Sequence, residues 1–196
     1  MASLCYEQIF RHLGRVDNQP CLPQIELNIA MKGVTSYSGL TGIYFLIQLK
    51  ILIGLFHLRK EHSILDFGCG YGMMKKELGP NVIGYDLISE LSDTSDWRKE
   101  SFGVFVANHV LYCLNEEELR GVLQDLVVAS NGQCRVIVGY SYQSLVIRFF
   151  MVLLGRPGAH DGTKLTYKQQ LEIVGDYFCA KRHFRVPGLF GFCEFS

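Results

Sequence analysis

The chain has 196 residues, with 19 Lys and Arg against 19 Asp and Glu and 48% hydrophobic residues. That length suits one domain of the usual ~100–200 residues, and the even charge balance gives no field to steer nucleic acid, so no nucleic-acid partner is expected. Seven cysteines (5, 21, 69, 113, 134, 179, 193), odd in number and without a C-x-x-C pair, argue against a disulfide framework and a zinc site and for a reduced, cytoplasmic chain.

The first stretch, MASLCYEQIFRHLGR, has no apolar core of signal-peptide type. Residues 1–61 read as a helical, substrate-side cap on a core spanning 62–196, the two making one compact domain. Within the cap, Gly42 to Leu58 (GIYFLIQLKILIGLFHL) is apolar except for Gln48, Lys50 and His57. It is at the lower limit for a membrane span, and a mid-helix lysine adds roughly 2.5–3.5 kcal/mol to insertion, so a span is rejected. Three readings stay open: a helix buried against the sheet with the Lys50 stem snorkelling outward, an interfacial helix touching lipid, or the wall of an apolar pocket.

Ser63 to Phe67 reads as a buried strand, followed by glycines at 68, 70 and 72 that allow a sharp turn and close approach of a ligand. A helix is expected from near Tyr71 to Leu78, stopped by Gly79-Pro80, with its unpaired first amides facing the glycine loop. NVIGYD is a second strand ending in Asp86. The fifteen residues Leu87 to Ser101 connect it to a third strand, Phe102 to Val106, whose end delivers Asn108 and His109 to the same edge. A helix N-capped by Asn115, a strand from Gln133 to Ser141 and an apolar helix from Ser144 to Leu154 follow. After the loop RPGAHDG comes a helix opened by a Thr166…Gln169 capping box, then a hairpin, CAKRHFRV and LFGFCEF, turning at Pro187-Gly188. Alternating strands and helices imply an α/β fold, a parallel sheet with helices on both faces.

A dinucleotide fingerprint, G-x-G-x-x-G, would need glycine where Met73 stands. The chain instead has D-x-G-x-G-x-G, with Asp66 ending the strand. A carboxylate there suits a cationic ligand group, and Asp86, twenty residues on, can accept both hydroxyls of a ribose. The ligand implied is a nucleoside bearing an amino acid.

On these residues, ILDFGCGYG…VIGYD…VANHVLYCL, the chain resembles the class I S-adenosylmethionine-dependent methyltransferases, especially their small-molecule branch, over Ser63 to Tyr140. The resemblance implies a Rossmann-like, mostly parallel sheet of seven-strand type with a terminal antiparallel hairpin. S-adenosylmethionine would be the cofactor and S-adenosylhomocysteine the product. Asp66 and the turn Gly68, Cys69, Gly70, Gly72 would receive the methionine moiety, Asp86 the ribose with Leu87 beside it, and Asn108 would lie beneath the sulfonium. Cys69 reads as a small buried filler.

The Leu87–Ser101 connection is too short for the helix and strand the family places there, so the third, edge strand is expected to be shortened. Asp93, with Asp96 second, is the candidate for the adenine amino group and Trp97 for covering its ring; the alternative is that both acids are solvated loop residues. Methyl transfer needs an acceptor held ~3–3.5 Å from the carbon, and a base only if the acceptor is protonated. His109 and His160, the latter beside Asp161, are the candidate catalytic residues, against structural roles for both. Tyr112 and Tyr140 are candidate pocket walls, and Gly155–Gly162 a candidate lid. The acceptor side, roofed by Gly42–Leu58 and Ser144–Leu154, suits a small apolar or lipid-like molecule, with peripheral membrane contact through 42–58; plain core packing is the alternative. A scaffold that keeps the fold without turnover is the competing function. A nicotinamide oxidoreductase is disfavoured by Met73 and Asp66.

Overall fold

The computed structural model describes residues 39–142 and 163–196. Four strands, β1 (Ile64–Phe67), β2 (Val82–Tyr85), β3 (Val104–Asn108) and β4 (Arg135–Ser141), lie parallel. The hairpin of β5 (Ala180–Val186) and β6 (Phe190–Phe195) closes the sheet, with β6 antiparallel to β4, in the order β2-β1-β3-β4-β6-β5. The chain leaves β1 toward β2 and returns to place β3 on β1's other side. This reversal opens a crevice at the carboxyl ends of β1 and β3, where open α/β sheets bind ligands.

Period-two alternation divides the core into two layers. Ile64, Val82, Val104, Val106, Ile137, Phe190 and Phe192 face α1 (Gly39–Leu55), which buries Leu49, Leu52 and Ile53 against them, with Phe56 just beyond its end. Lys50 is exposed on the opposite side of the helix, together with Ile43 and Ile47. On the other face Leu65, Phe67, Phe105, Val136, Val138 and Phe195 pack with α3 (Glu116–Ala129) and α4 (Tyr167–Gly175). Both of these helices open with capping boxes: Thr166 with Gln169, as expected, and Asn115, the expected N-cap, with Glu118. The carboxyl end of α1 is tied to the foot of the sheet: Arg182 donates to the Leu55 carbonyl (2.9 Å) and Arg135 to that of Phe56 (3.2 Å). Arg135 also pairs with Glu61 and Glu194.

Several elements differ from the sequence reading. The apolar helix read over 42–58 runs from Gly39 to Leu55, with a single 3-10 turn, Leu58–Lys60, after it. α2 (Met73–Leu78) starts two residues after Tyr71 because Gly72, at φ +65°, is its N-cap. β3 begins at Val104 and continues to Asn108, since pairing with β4 carries it past Val106, and Phe102 packs beside Trp97 instead. The shortening of the edge strand is complete: residues 87–101 form two single 3-10 turns, Ser89–Leu91 and Trp97–Lys99, and no strand. One residue does the pairing at Gly84, whose carbonyl accepts from the Asp93 amide (2.8 Å) while its own amide donates to the Asp93 carboxylate (2.7 Å).

The expected Ser144–Leu154 helix and Gly155–Gly162 lid lie outside the described residues, as do residues 1–38. Among the described residues no helix is long and apolar enough to cross a membrane.

Candidate functional site

Strand parity places Gly84, Asp66, Asn108, Gly139 and Ser141 on the α1 side of the sheet, at its carboxyl end. The same face is Ile, Val and Phe through its middle, so small and polar residues return at the crevice end. The turn that crosses it is left-handed at each of its glycines, with φ of +77° at Gly68, +51° at Gly70 and +65° at Gly72, a geometry strained for residues with a Cβ. Its amides are used to hold its shape. Gly68 and Cys69 both donate to the Tyr85 carbonyl (2.7 and 3.1 Å), Gly72 to that of Cys69 (3.0 Å), and Gly70 to Asp86 Oδ2 (2.9 Å). Asp86 Oδ1 accepts from the Ile88 amide (3.1 Å). A carboxylate offers about four lone-pair sites, so Asp86 ties the turn to its own loop through the Gly70 and Ile88 amides and still has lone pairs for hydroxyl donors. Leu87 beside it is partly buried on the opposite face.

Asp66 is 5% exposed, and its carboxyl accepts no hydrogen bond among the described residues. Burial, reinforced by the negative charges of Asp86 and Asp93, pushes its pKa up to about 7. Burial also raises Asp86, against the opposing pull of the Ile88, Gly70 and Leu87 amides. The crevice therefore concentrates carboxyl groups that a bound cation would help to ionise. Cys69 fits its filler reading: its thiol, pushed up by burial and then by the neighbouring acids, packs on Gly84 and donates to the Leu91 carbonyl (3.4 Å).

The acids of the short connection are engaged in structure. Desolvation works against ionised Asp93, but the hydrogen bond from Lys75 (2.7 Å), the Gly84 amide and the Lys75 charge outweigh it and hold the carboxyl low. Asp96 caps the following turn and pairs with Arg98 (2.6 Å). Trp97 is buried against Phe67 and Phe105 in the layer away from α1.

At the end of β3, Asn108 Oδ1 is buried without a hydrogen-bond partner among the described residues and lies over Gly139, where a Cβ would come within 2.2 Å of it. His109 takes the left-handed conformation (φ +56°), rare for a residue with a side chain and common where function fixes the backbone. Its amide donates to the Gly139 carbonyl (2.9 Å), its Nδ1 lies 3.0 Å from Ser141 Oγ, and its ring meets Phe45 of α1 edge-on at 6.2 Å. Sequence reasoning missed Ser141; its parity with Gly139, the partner of Asn108, was the available signal. Tyr140 points to the opposite face, where its hydroxyl meets His183 and its ring stacks on Tyr167 at 5.1 Å, so it does not wall the His109 side. Tyr112 accepts the Lys164 amide through its carbonyl (2.9 Å). His160 and Asp161 lie outside the described residues.

One end of the sheet thus brings together Asp66, the glycine turn, Asp86, Asn108 and His109. No protein-family model matches the sequence, and no curated protein matches it. Solved structures do match its shape. The PH0226 protein of Pyrococcus horikoshii OT3 superposes with a TM-score of 0.59 at 14% identity, over 83% of this chain and 94% of its own. Magnesium protoporphyrin IX methyltransferase of Synechocystis PCC 6803, crystallised with bound SAH, gives 0.52 at 15% identity over 97% and 92%. The mitomycin 7-O-methyltransferase MmcR gives 0.56 at 15% over 97% and 60%. The chain has the Rossmann-like class I methyltransferase fold. In that methyltransferase fold the crevice at β1 and β3 is this chain's candidate site, and the outer strand beyond β2 is the part it has replaced with Asp93.

Proposed function

We propose that the chain is an S-adenosylmethionine-dependent methyltransferase that acts on a small, largely apolar acceptor. The observation that carries this reading is Asp66, a buried carboxyl with no hydrogen-bond partner among the described residues, beside a left-handed glycine turn clamped by Asp86. A phosphate would be repelled there, whereas a cationic amino group would relieve the cost of the buried acid. Asp66 would hold the cofactor's amino group, Gly68 to Gly72 with Cys69 its methionine arm, and the open lone pairs of Asp86 its ribose beside Leu87. Asn108 would lie beneath the sulfonium. Asp93 would hold the adenine amino group, with the Gly84 amide and Lys75 already fixing its carboxylate in place, and Asp96 is second to it.

When bound, S-adenosylmethionine supplies a methyl group already activated for in-line displacement. The chain's work is to orient the acceptor and to take up its proton where it carries one. His109 is the residue for that proton, with Ser141 at Nδ1 fixing the ring's orientation. Residues 1–61 act as the cap and 62–196 as the core. In a cytoplasmic chain, Ile43 and Ile47 would make any contact with a lipid surface.

Calorimetry with S-adenosylhomocysteine tests the reading. Binding at 100 times the dissociation constant adds about 2.7 kcal/mol to stability, seen as a higher Tm. Asp86→Ala should weaken binding by ~1.5–3 kcal/mol, since charge-assisted bonds are lost and the turn is unclamped. An unchanged Kd in that variant rejects the ribose assignment. Binding without turnover across candidate acceptors would favour the scaffold.

A further inference from the structure

Gln48 is fully buried in α1, and neither its Nε2 nor its Oε1 has a hydrogen-bond partner among the described residues. A leucine or methionine would fill the same space without the cost of two unsatisfied groups.

The helix's course places this side chain. α1 runs antiparallel to β3 and β4, because Phe45 meets His109 at the carboxyl end of the sheet while the Phe56 carbonyl meets Arg135 at its amino end. At ~1.5 Å per residue Gln48 lies about 4.5 Å below Phe45, level with the last residues of β3. Asn108 shares the α1 side with Val104 and Val106, so its own unpaired Oδ1 faces the same layer. The groups suited to the cofactor, Asp66, the glycine turn and Asp86, belong to β1, β2 and the loops that follow them. Gln48 lies over the β3 and β4 side, one turn from Tyr44, whose ring is 6.3 Å from Phe190. On this side of the sheet Arg135 is at the amino end, and Lys50 of α1 points to solvent, so neither supplies a positive charge at the level of Gln48.

Resting on the methyltransferase reading, we propose that Gln48 is the acceptor-recognition residue, taking an uncharged hydroxyl carried on an apolar body. A hydroxyl is the smallest neutral group that both accepts from Nε2 and donates to an amide oxygen, and the layer that α1 shares with the sheet, Leu49, Leu52 and Val106 among it, is apolar.

The test uses the full chain saturated with S-adenosylhomocysteine, and phenol and toluene as probes that differ by one hydroxyl. Wild type should prefer phenol at least tenfold by NMR titration, with the Gln48 side-chain amide resonance shifting on phenol addition. Gln48→Met should lose the preference, keep S-adenosylhomocysteine affinity within twofold and melt no lower than wild type. Equal affinity for the probes, binding of neither, or a preference retained in Gln48→Met overturns the proposal. Loss of S-adenosylhomocysteine binding in Gln48→Met also overturns it, by moving Gln48 to the cofactor. If Gln48→Met does not fold, the wild-type comparison and the Gln48 resonance decide alone. Wild type failing to bind S-adenosylhomocysteine is a different failure, which removes the underlying reading and this proposal with it.

Discussion

Asp66 couples the site to protons, and the sign follows from its position. Its carboxyl titrates at about 7 in the folded chain against an ordinary 3.8, so between those values the folded state holds a proton that the unfolded chain has released. Its contribution is therefore most favourable below pH 4 and is lost as pH rises to 7. The loss is roughly 4 kcal/mol at most, from a shift of about three units at 1.36 kcal/mol each. Asp86 is shifted in the same direction, while Lys75 keeps Asp93 ionised across this range. Asp66→Asn, similar in shape but without charge, should then match wild type near pH 4 and exceed it at pH 8 in urea unfolding. A ligand ammonium reverses the balance by favouring the carboxylate, so S-adenosylhomocysteine binding below pH 7 should expel the proton. Affinity should rise about tenfold per pH unit from 5 to 7 and level off above. Calorimetry at pH 6 in buffers of different ionisation enthalpy counts the protons: nearly one more released by wild type than by Asp66→Asn. Equal counts, or an Asp66→Asn chain less stable than wild type at pH 8, would refute the reasoning.

Gly70→Val should abolish S-adenosylhomocysteine binding in calorimetry, because a branched Cβ at φ +51° strains the turn and intrudes on the crevice. Asp93→Ala leaves the Gly84 amide without its acceptor, so hydrogen exchange at Gly84 should accelerate and stability fall by about 1 kcal/mol. Trp97→Ala opens a cavity among Phe67, Phe102 and Phe105 and should cost about 3–5 kcal/mol in urea unfolding, with S-adenosylhomocysteine affinity retained once the chain is folded.

The glycine turn, Asp66 and Asp86 were legible in the sequence because their signal is local: a strand of period two, a carboxylate at its end and residues without a Cβ where the backbone must turn left-handed. The end of β3 was not, since pairing with β4 extends it through Asn108, a residue poor in strand propensity. Gln48 was hidden for the opposite reason. In an apolar run a single glutamine reads as a solvated position, and only its burial exposes the unpaired amide. Trp97 and Asp93 look like residues of a polar loop, and their roles arise from contacts with Phe67 and Gly84 that no local pattern announces. The pairing of Tyr140 with His183 depends on a gap in the neighbouring strand: a Cβ at Gly191 would come within 2.3 Å of the Tyr140 hydroxyl.

The bond between Asp93 and Gly84 also limits what can attach to this molecule. An edge strand normally offers its outer amides to any extended peptide that passes. Along β2 the Val82 amide is bonded to the Gly79 carbonyl and the Gly84 amide to Asp93, so an incoming strand would find those donors taken. At the far edge, β5 carries exposed Lys181, Arg182, His183 and Arg185, whose charge and bulk discourage stacking of another chain. Loss of the outer strand therefore leaves no ready seat for a neighbour's strand. Among the described residues, both edges of the sheet therefore disfavour growth by strand addition.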